Sequence, residues 1–165
     1  MSDSDTAKPA DFKDRVFLVV VDETEEMQVA LRFACLRARR TGGRVALLYV
    51  IEPADFQHWR AVEELMREEA RSEGEQLLQR LAAQVNDLVG AIPILYVREG
   101  KVGDELFKLL DEEPQISILV LGANTGNRGP GPLVSSLAGK MVGKLRVPVT
   151  IVPGNLSDEA IDSIT

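Results

Sequence analysis

Residues 15–21, RVFLVVV, are apolar after the opening arginine and mostly β-branched. A strand with one face in water alternates apolar and polar side chains, whereas a strand covered on both faces is free to be apolar throughout. QISILVLG (115–122) has the same character, and RVALLYVI (44–51), IPILYVRE (92–99) and VPVTIVP (147–153) supply three more candidate strands. Between them the periodicity becomes helical. Met27, Ala30, Leu31, Ala34, Cys35 and Ala38 recur at helical spacing, with Thr24 placed as N-cap and Glu25 and Glu26 at the positive end of the helix dipole. TGG (41–43) stops this helix. A long helix is expected from about Trp59 to Val89, with Val62, Leu65, Met66, Leu77, Leu78, Leu81 and Val85 on one stripe. Its charged middle, MREEARSEGEQ, reads as a solvated face that Gly74 weakens. GKVGDELFKLLDEE (100–113) makes a turn and a short helix, and a last helix is expected from about Leu133 to Leu145.

Regular alternation of strand and helix specifies an α/β fold: a single doubly wound domain with a five-stranded parallel sheet and helices on both faces. Right-handed crossovers restrict the topology further, and the strand order expected is 3-2-1-4-5. A chain of 165 residues suits one domain. The boundaries expected are a disordered N-terminal arm (1–13), the α/β domain (14–154) and an acidic C-terminal tail (155–165), frayed from about residue 156. In this order the direction of winding reverses between strands 1 and 4, so a binding crevice is expected at their carboxyl ends. Strand 1 ends at Asp22. Strand 4 ends at Gly122, inside LGANTGNRGPGPLVSSLAGK (121–140), which holds five glycines and two prolines.

Composition narrows the function. A net charge of −7 argues against nucleic acid and anionic membrane as partners. No apolar run approaches the roughly 20 residues that span a bilayer, and MSDSDTAKPADFKD lacks the apolar stretch of a signal peptide. The single cysteine, Cys35, cannot form an internal disulfide and reads as a small core residue. A cytoplasmic protein is expected. His58 is a lone histidine without the clustered ligands that metal sites use. Trp59 is expected to close the end of the sheet, ahead of covering a bound base or packing at a subunit contact. A phosphorelay receiver needs an aspartate at the end of strand 3 and a lysine at the end of strand 5; YVREG and TIVPG offer neither. No P-loop lysine and no nucleophile with its base can be recognised. The expectation is a protein that is not an enzyme.

FLVVVDETEEMQVALRFACLRARRTGGRVALLYVIEP resembles the opening unit of the universal stress protein family, in which strand 1 ends in an aspartate and strand 2 leads into an acidic-proline turn. ISILVLGA, followed by VPVTIV with Pro148 26 residues after Gly122, is similar to the family's closing unit. The resemblance covers about residues 14–153. It implies the fold described above, and it implies a choice between nucleotide binders and non-binders. Binders carry Gly-x2-Gly-x9-Gly-(Ser/Thr) after strand 4. Aligned from Pro148, that frame falls on Gly122-x2-Thr125-x9-Ser135-Ser136, matching at the first glycine and the final hydroxyl and departing at the second and third glycines. A second frame, Gly126-x2-Gly129-x9-Gly139-Lys140, shortens the last helix and ranks below the first.

The site implied by the resemblance pairs Asp22 and Val50, against the nucleoside, with Leu121, Gly122 and Thr125 at the start of the loop. Ser135, Ser136 and Leu137 follow at the helix, where the N–H groups of the two serines would face a phosphate. Arg128 and Lys140 are secondary candidates for neutralising it. The ligand implied is ATP or another adenine nucleotide, with magnesium as an optional companion and little turnover. The plainer readings stand beside these: Asp22 as a helper of the helix cap, Val50 as core, the serines as caps, Arg128 and Lys140 as surface charges. The alternative function is a family member that binds no nucleotide and acts as a dimeric protein-interaction module in stress response. Residues 147–153 form a short, uncharged edge strand, which invites pairing with another chain. In the family the equivalent strands meet across a two-fold axis, so a homodimer is expected there.

Overall fold

The computed structural model describes residues 15–53 and 59–165. The arm expected at 1–13 and the residue His58 lie outside the described residues.

Five strands, β1 (Val16–Val20), β2 (Arg44–Ile51), β3 (Ile94–Glu99), β4 (Ile116–Ala123) and β5 (Val149–Pro153), form one sheet in the order β3-β2-β1-β4-β5. Every neighbouring pair is parallel. Successive side chains of a strand point to opposite faces, and β1 shows it: Phe17 and Val19 enter one core, Val16 and Leu18 the other. The first core is covered by α1 (Glu25–Thr41), α2 (Arg60–Val89) and α5 (Asp158–Ile164). The second is covered by α3 (Val102–Glu112) and α4 (Pro132–Ala138). Central burial on both faces is why β1 could be written in apolar letters alone.

The start and end of α1 follow the sequence signals. Thr24 Oγ1 accepts from Met27 N at 3.3 Å, and Gly42, in the left-handed region at φ 71°, closes the helix. Glycine takes that conformation at little steric cost. Gly74 has a different purpose from the one its sequence context suggests. It is buried, and a Cβ there would fall on the ring of Tyr49. The missing side chain lets α2 lie close against β2.

Three elements depart from expectation. The last long helix ends early: α4 stops at Ala138, and after Gly139 (φ −100°, ψ −112°) only a 3₁₀ turn at Val142–Lys144 remains. Glycines at 139 and 143 make continuation costly. The stripe of α2 divides in two. Leu77, Leu78, Leu81 and Val85 are buried, whereas Trp59 at 86% exposure, Val62, Leu65 and Met66 face outward, so Trp59 does not close the sheet. The C-terminal tail is helical rather than frayed. Ser157 caps α5 by accepting from Ala160 N at 3.1 Å, and Ile161 is fully buried in the core beneath α1. Arg32 of α1 holds Asp162 with two hydrogen bonds of 2.9 and 3.0 Å. An ion pair this exposed contributes about 0–1 kcal/mol, against about 1.5–3 kcal/mol for burying an isoleucine. Ile161 is the main anchor.

Arg146 ties the approach to β5 into place. Its guanidinium donates to the carbonyls of Leu110 (2.7 Å), Glu113 (3.2 Å) and Ile116 (3.3 Å), where α3 ends and β4 begins. Among the described residues no helix is long and apolar enough to cross a membrane.

Candidate functional site

A parallel sheet of this order leaves a crevice where the connections from β1 and β4 diverge to opposite faces. There a cleft of about 730 Å³ opens, within the roughly 300–1,000 Å³ typical of small-molecule sites. Its walls come from the ends of β1, β2 and β4, the first turns of α1 and α3, and the segment Pro130–Val134 leading into α4. Asp22, Val50, Leu121, Gly122 and Ser136, drawn from four separate stretches of chain, all line it. Thr125, Ser135 and Leu137 do not. Thr125 and Ser135 are exposed, and Leu137 is buried in the core beside α3. Arg128 and Lys140 are exposed and outside the lining.

Asp22 is exposed and has local work. Its Oδ1 accepts from Thr24 N at 2.8 Å and from Thr24 Oγ1 at 2.5 Å, which orients the hydroxyl that caps α1. Oδ2 is the oxygen left for a ligand. Gly122 is also explained without one. A Cβ on it would collide with the carbonyl oxygen of Glu26, and one on Gly154 would come within 2.5 Å of Glu26 Cβ. These two glycines admit the first turn of α1 to the end of the sheet.

The loop after β4 closes on itself: Asn124 N donates to Pro130 O at 3.2 Å, and Gly126 N to Asn124 Oδ1 at 2.8 Å. Gly129 (φ 80°) and Gly131 (φ 109°) take the left-handed conformations that only glycine adopts readily. The expectation that the N–H groups of Ser135 and Ser136 face a phosphate is corrected. Ser135 N donates to Gly131 O at 3.0 Å, and Ser136 lies one residue further along the same helical ladder. The donors that a helix leaves unused are those of its first residues, here Leu133 and Val134, since Pro132 has no N–H.

Sequence reasoning missed Glu26, Glu52, Lys101 and the Pro130–Leu133 wall, all of which line the cleft. Glu52 was visible only as half of an acidic-proline turn; its Oε1 accepts from Val102 N at 3.3 Å, capping α3. The Pro-Gly-Pro run at 130–132 was a signal for an apolar, donor-poor wall. Among the described residues no group of three metal-binding side chains converges. Cys35, deep in the core, has its thiol pushed up to about 12 by burial, which outweighs the opposing pull of Arg32. Burial likewise raises Tyr49, aided by Glu73 and Glu23.

The profile of the universal stress protein family matches residues 15–153. The chain belongs to this family. Solved structures of universal stress proteins share its fold. One is UspA from Lactobacillus plantarum, with TM-score 0.71 and 19% identity over 84% of this chain and 97% of that one. A family protein from Burkholderia pseudomallei has TM-score 0.67 and 21% identity over 88% and 99%. A family protein from Arabidopsis thaliana, with AMP bound, has TM-score 0.61 and 16% identity over 88% and 94%. No curated protein matches the sequence.

Proposed function

We propose that this universal stress protein binds an adenine nucleotide weakly in the cleft between β1 and β4, in the cytoplasm and with little or no turnover. The observation that carries this reading is the convergence of Asp22, Val50, Leu121, Gly122 and Ser136 on one cleft of sufficient volume. The Arabidopsis relative with AMP bound supports it. In this reading Asp22 Oδ2 accepts from a ribose hydroxyl, Val50 and Leu121 offer apolar surface to the base, and Ser136 offers a hydroxyl to a phosphate. Each charged hydrogen bond to phosphate is worth about 1.5–3 kcal/mol, so the loss of Ser135 N–H from the cradle costs about tenfold or more in affinity. Micromolar or weaker binding is the expectation.

Calorimetry and thermal shift with AMP, ADP and ATP, with and without magnesium, test the proposal. Ser136→Glu, which sets a carboxylate beside the phosphate position, should abolish nucleotide binding. Normal binding by that variant would show that the phosphate lies elsewhere. No heat and no thermal shift at millimolar nucleotide would favour the second reading, a dimeric interaction module without nucleotide. The observation on that side is Thr125 lying outside the cleft. Either reading is paired with a homodimer through residues 147–153.

A further inference from the structure

Gly74 is the first buried residue of α2, set against the ring of Tyr49 near the end of β2. The turns before it, from Arg60 onward, overhang the sheet by about 20 Å. Met66 precedes Leu77 by about three turns, so both lie on the same side of the helix, yet Leu77 is buried and Met66 is exposed. Trp59 is 86% exposed and Leu65 55%, with Val62 and Met66 exposed beside them. One exposed leucine is ordinary, but four large apolar side chains within about two turns, headed by a tryptophan, make a patch. Arg67 holds the overhang to the end of β3, its Nε 2.6 Å from Glu99 Oε1. Beneath it lies a cavity of about 250 Å³, where Met66 and Ala70 of the helix meet Ile51 and Pro53 from the end of β2.

Charge decides what can cover this surface. Glu52, Glu63 and Glu99 line the cavity against Arg67, which is already paired with Glu99. Along residues 60–73 the helix carries five glutamates and three arginines. A second copy would bring the same surplus of carboxylate against itself, and an anionic membrane would be repelled. A basic amphipathic helix complements both features. Its apolar side chains match the patch, while the stems of its lysines or arginines run along Met66 and Ala70 and their heads reach Glu52 and Glu63.

We propose that the leading half of α2 docks a basic amphipathic helix of a partner protein, with Trp59 as the anchor and Glu52 and Glu63 receiving its cations. The surface shares only Glu52 with the cleft between β1 and β4. Trp59 is the chain's single tryptophan, so its emission reports docking directly. The probe is a tryptophan-free leucine–lysine peptide in helical register, about 20 residues long so that it can form a helix. It should shift the Trp59 emission to the blue with a dissociation constant in the micromolar range. A scrambled peptide of the same composition should bind at least tenfold more weakly, and a leucine–glutamate counterpart should not bind. By anisotropy of the labelled peptide, the exposed-site variant Leu65→Ser with Met66→Ser should lose tenfold or more, and so should Glu63→Lys. Asp111→Lys, the same charge reversal on exposed α3, should lose less than threefold. Equal binding of the scrambled peptide, or equal losses in the two lysine variants, would reduce the attraction to net charge and overturn the proposal. So would a blue shift produced by concentrating the protein alone, which would make the occupant a second copy, or by phosphatidylcholine vesicles, which would make it a membrane. An emission already that of a buried indole in dilute protein would overturn it as well, since the chain itself would cover the patch.

Discussion

Gly122 shows how one letter can be read correctly and for the wrong reason. Its place at the end of a buried strand marks it as a point of close approach, and a phosphate is the obvious visitor. The visitor in the structure is the carbonyl oxygen of Glu26. Gly122→Ala should therefore destabilise the protein by about 1–3 kcal/mol, the usual cost of overpacking, measured by urea denaturation without ligand. A variant as stable as the parent would restore a purely ligand-binding purpose for this glycine. Asp22 divides in the same way, since its help to the helix cap and its place at the crevice were both legible, and the two contacts that tie its Oδ1 to Thr24 were not. For Cys35 the sequence context suffices, because a cysteine on an apolar helical stripe is buried. Its thiol should resist alkylating reagents in the native protein and react on unfolding. A group whose pKa is raised to about 12 in the fold keeps its stabilising preference below its unfolded value. That stability is lost as pH climbs from about 9 towards 12, because the unfolded chain ionises first. Denaturation midpoints of the parent should fall over that window more steeply than those of Cys35→Ala.

Helices were legible where their periodicity was long and capped, as in α1, and failed where tertiary contacts decide. The stripe of α2 is read from Val62 to Val85 across a charged middle, yet only its second half meets the sheet, because the helix of 30 residues extends beyond the strands that it covers. The tail has few apolar residues and looks soluble as a string. In the fold its one fully buried residue, Ile161, finds the space beside α1. Ile161→Ala should cost about 2–5 kcal/mol, the range for a large-to-small change in a core. Hydrogen exchange should show α5 opening in the variant. Asp162→Ala should cost under about 1 kcal/mol, since it removes an exposed ion pair. A reversed ranking would mean that charge, and not burial, docks this helix.

At the scale of the molecule the sheet has two unlike edges. On β3, Arg98 pairs with Glu112 at 2.9 Å and lies over the ring of Tyr96, so charge guards that edge. On β5, Ile151 is 41% exposed and no charged residue interrupts Val149–Pro153. An unguarded apolar edge is a template for another strand. The proposed homodimer through 147–153 predicts a dimer by light scattering at micromolar concentration. The double change Val149→Lys and Ile151→Lys should convert it to a monomer. A parent that is monomeric, or a dimer indifferent to the two lysines, would remove the proposal.

The order β3-β2-β1-β4-β5 was legible in the chain, and the structure has it. Apolar runs without alternation demand cover on both faces, and right-handed crossovers leave few ways to provide it. The position of the cleft follows from the same rules. Its lining follows only in part: Asp22, Val50, Leu121, Gly122 and Ser136 were expected there. Glu26, Glu52, Lys101 and Pro130–Leu133 come from stretches more than a hundred residues apart in the extreme, and their approach depends on how closely α1 packs on Gly122 and Gly154 and on where Gly139 ends α4. Local patterning reports burial and periodicity one element at a time. The charge facing a ligand is set by which side chains several elements bring to one place, and only the packed structure decides that.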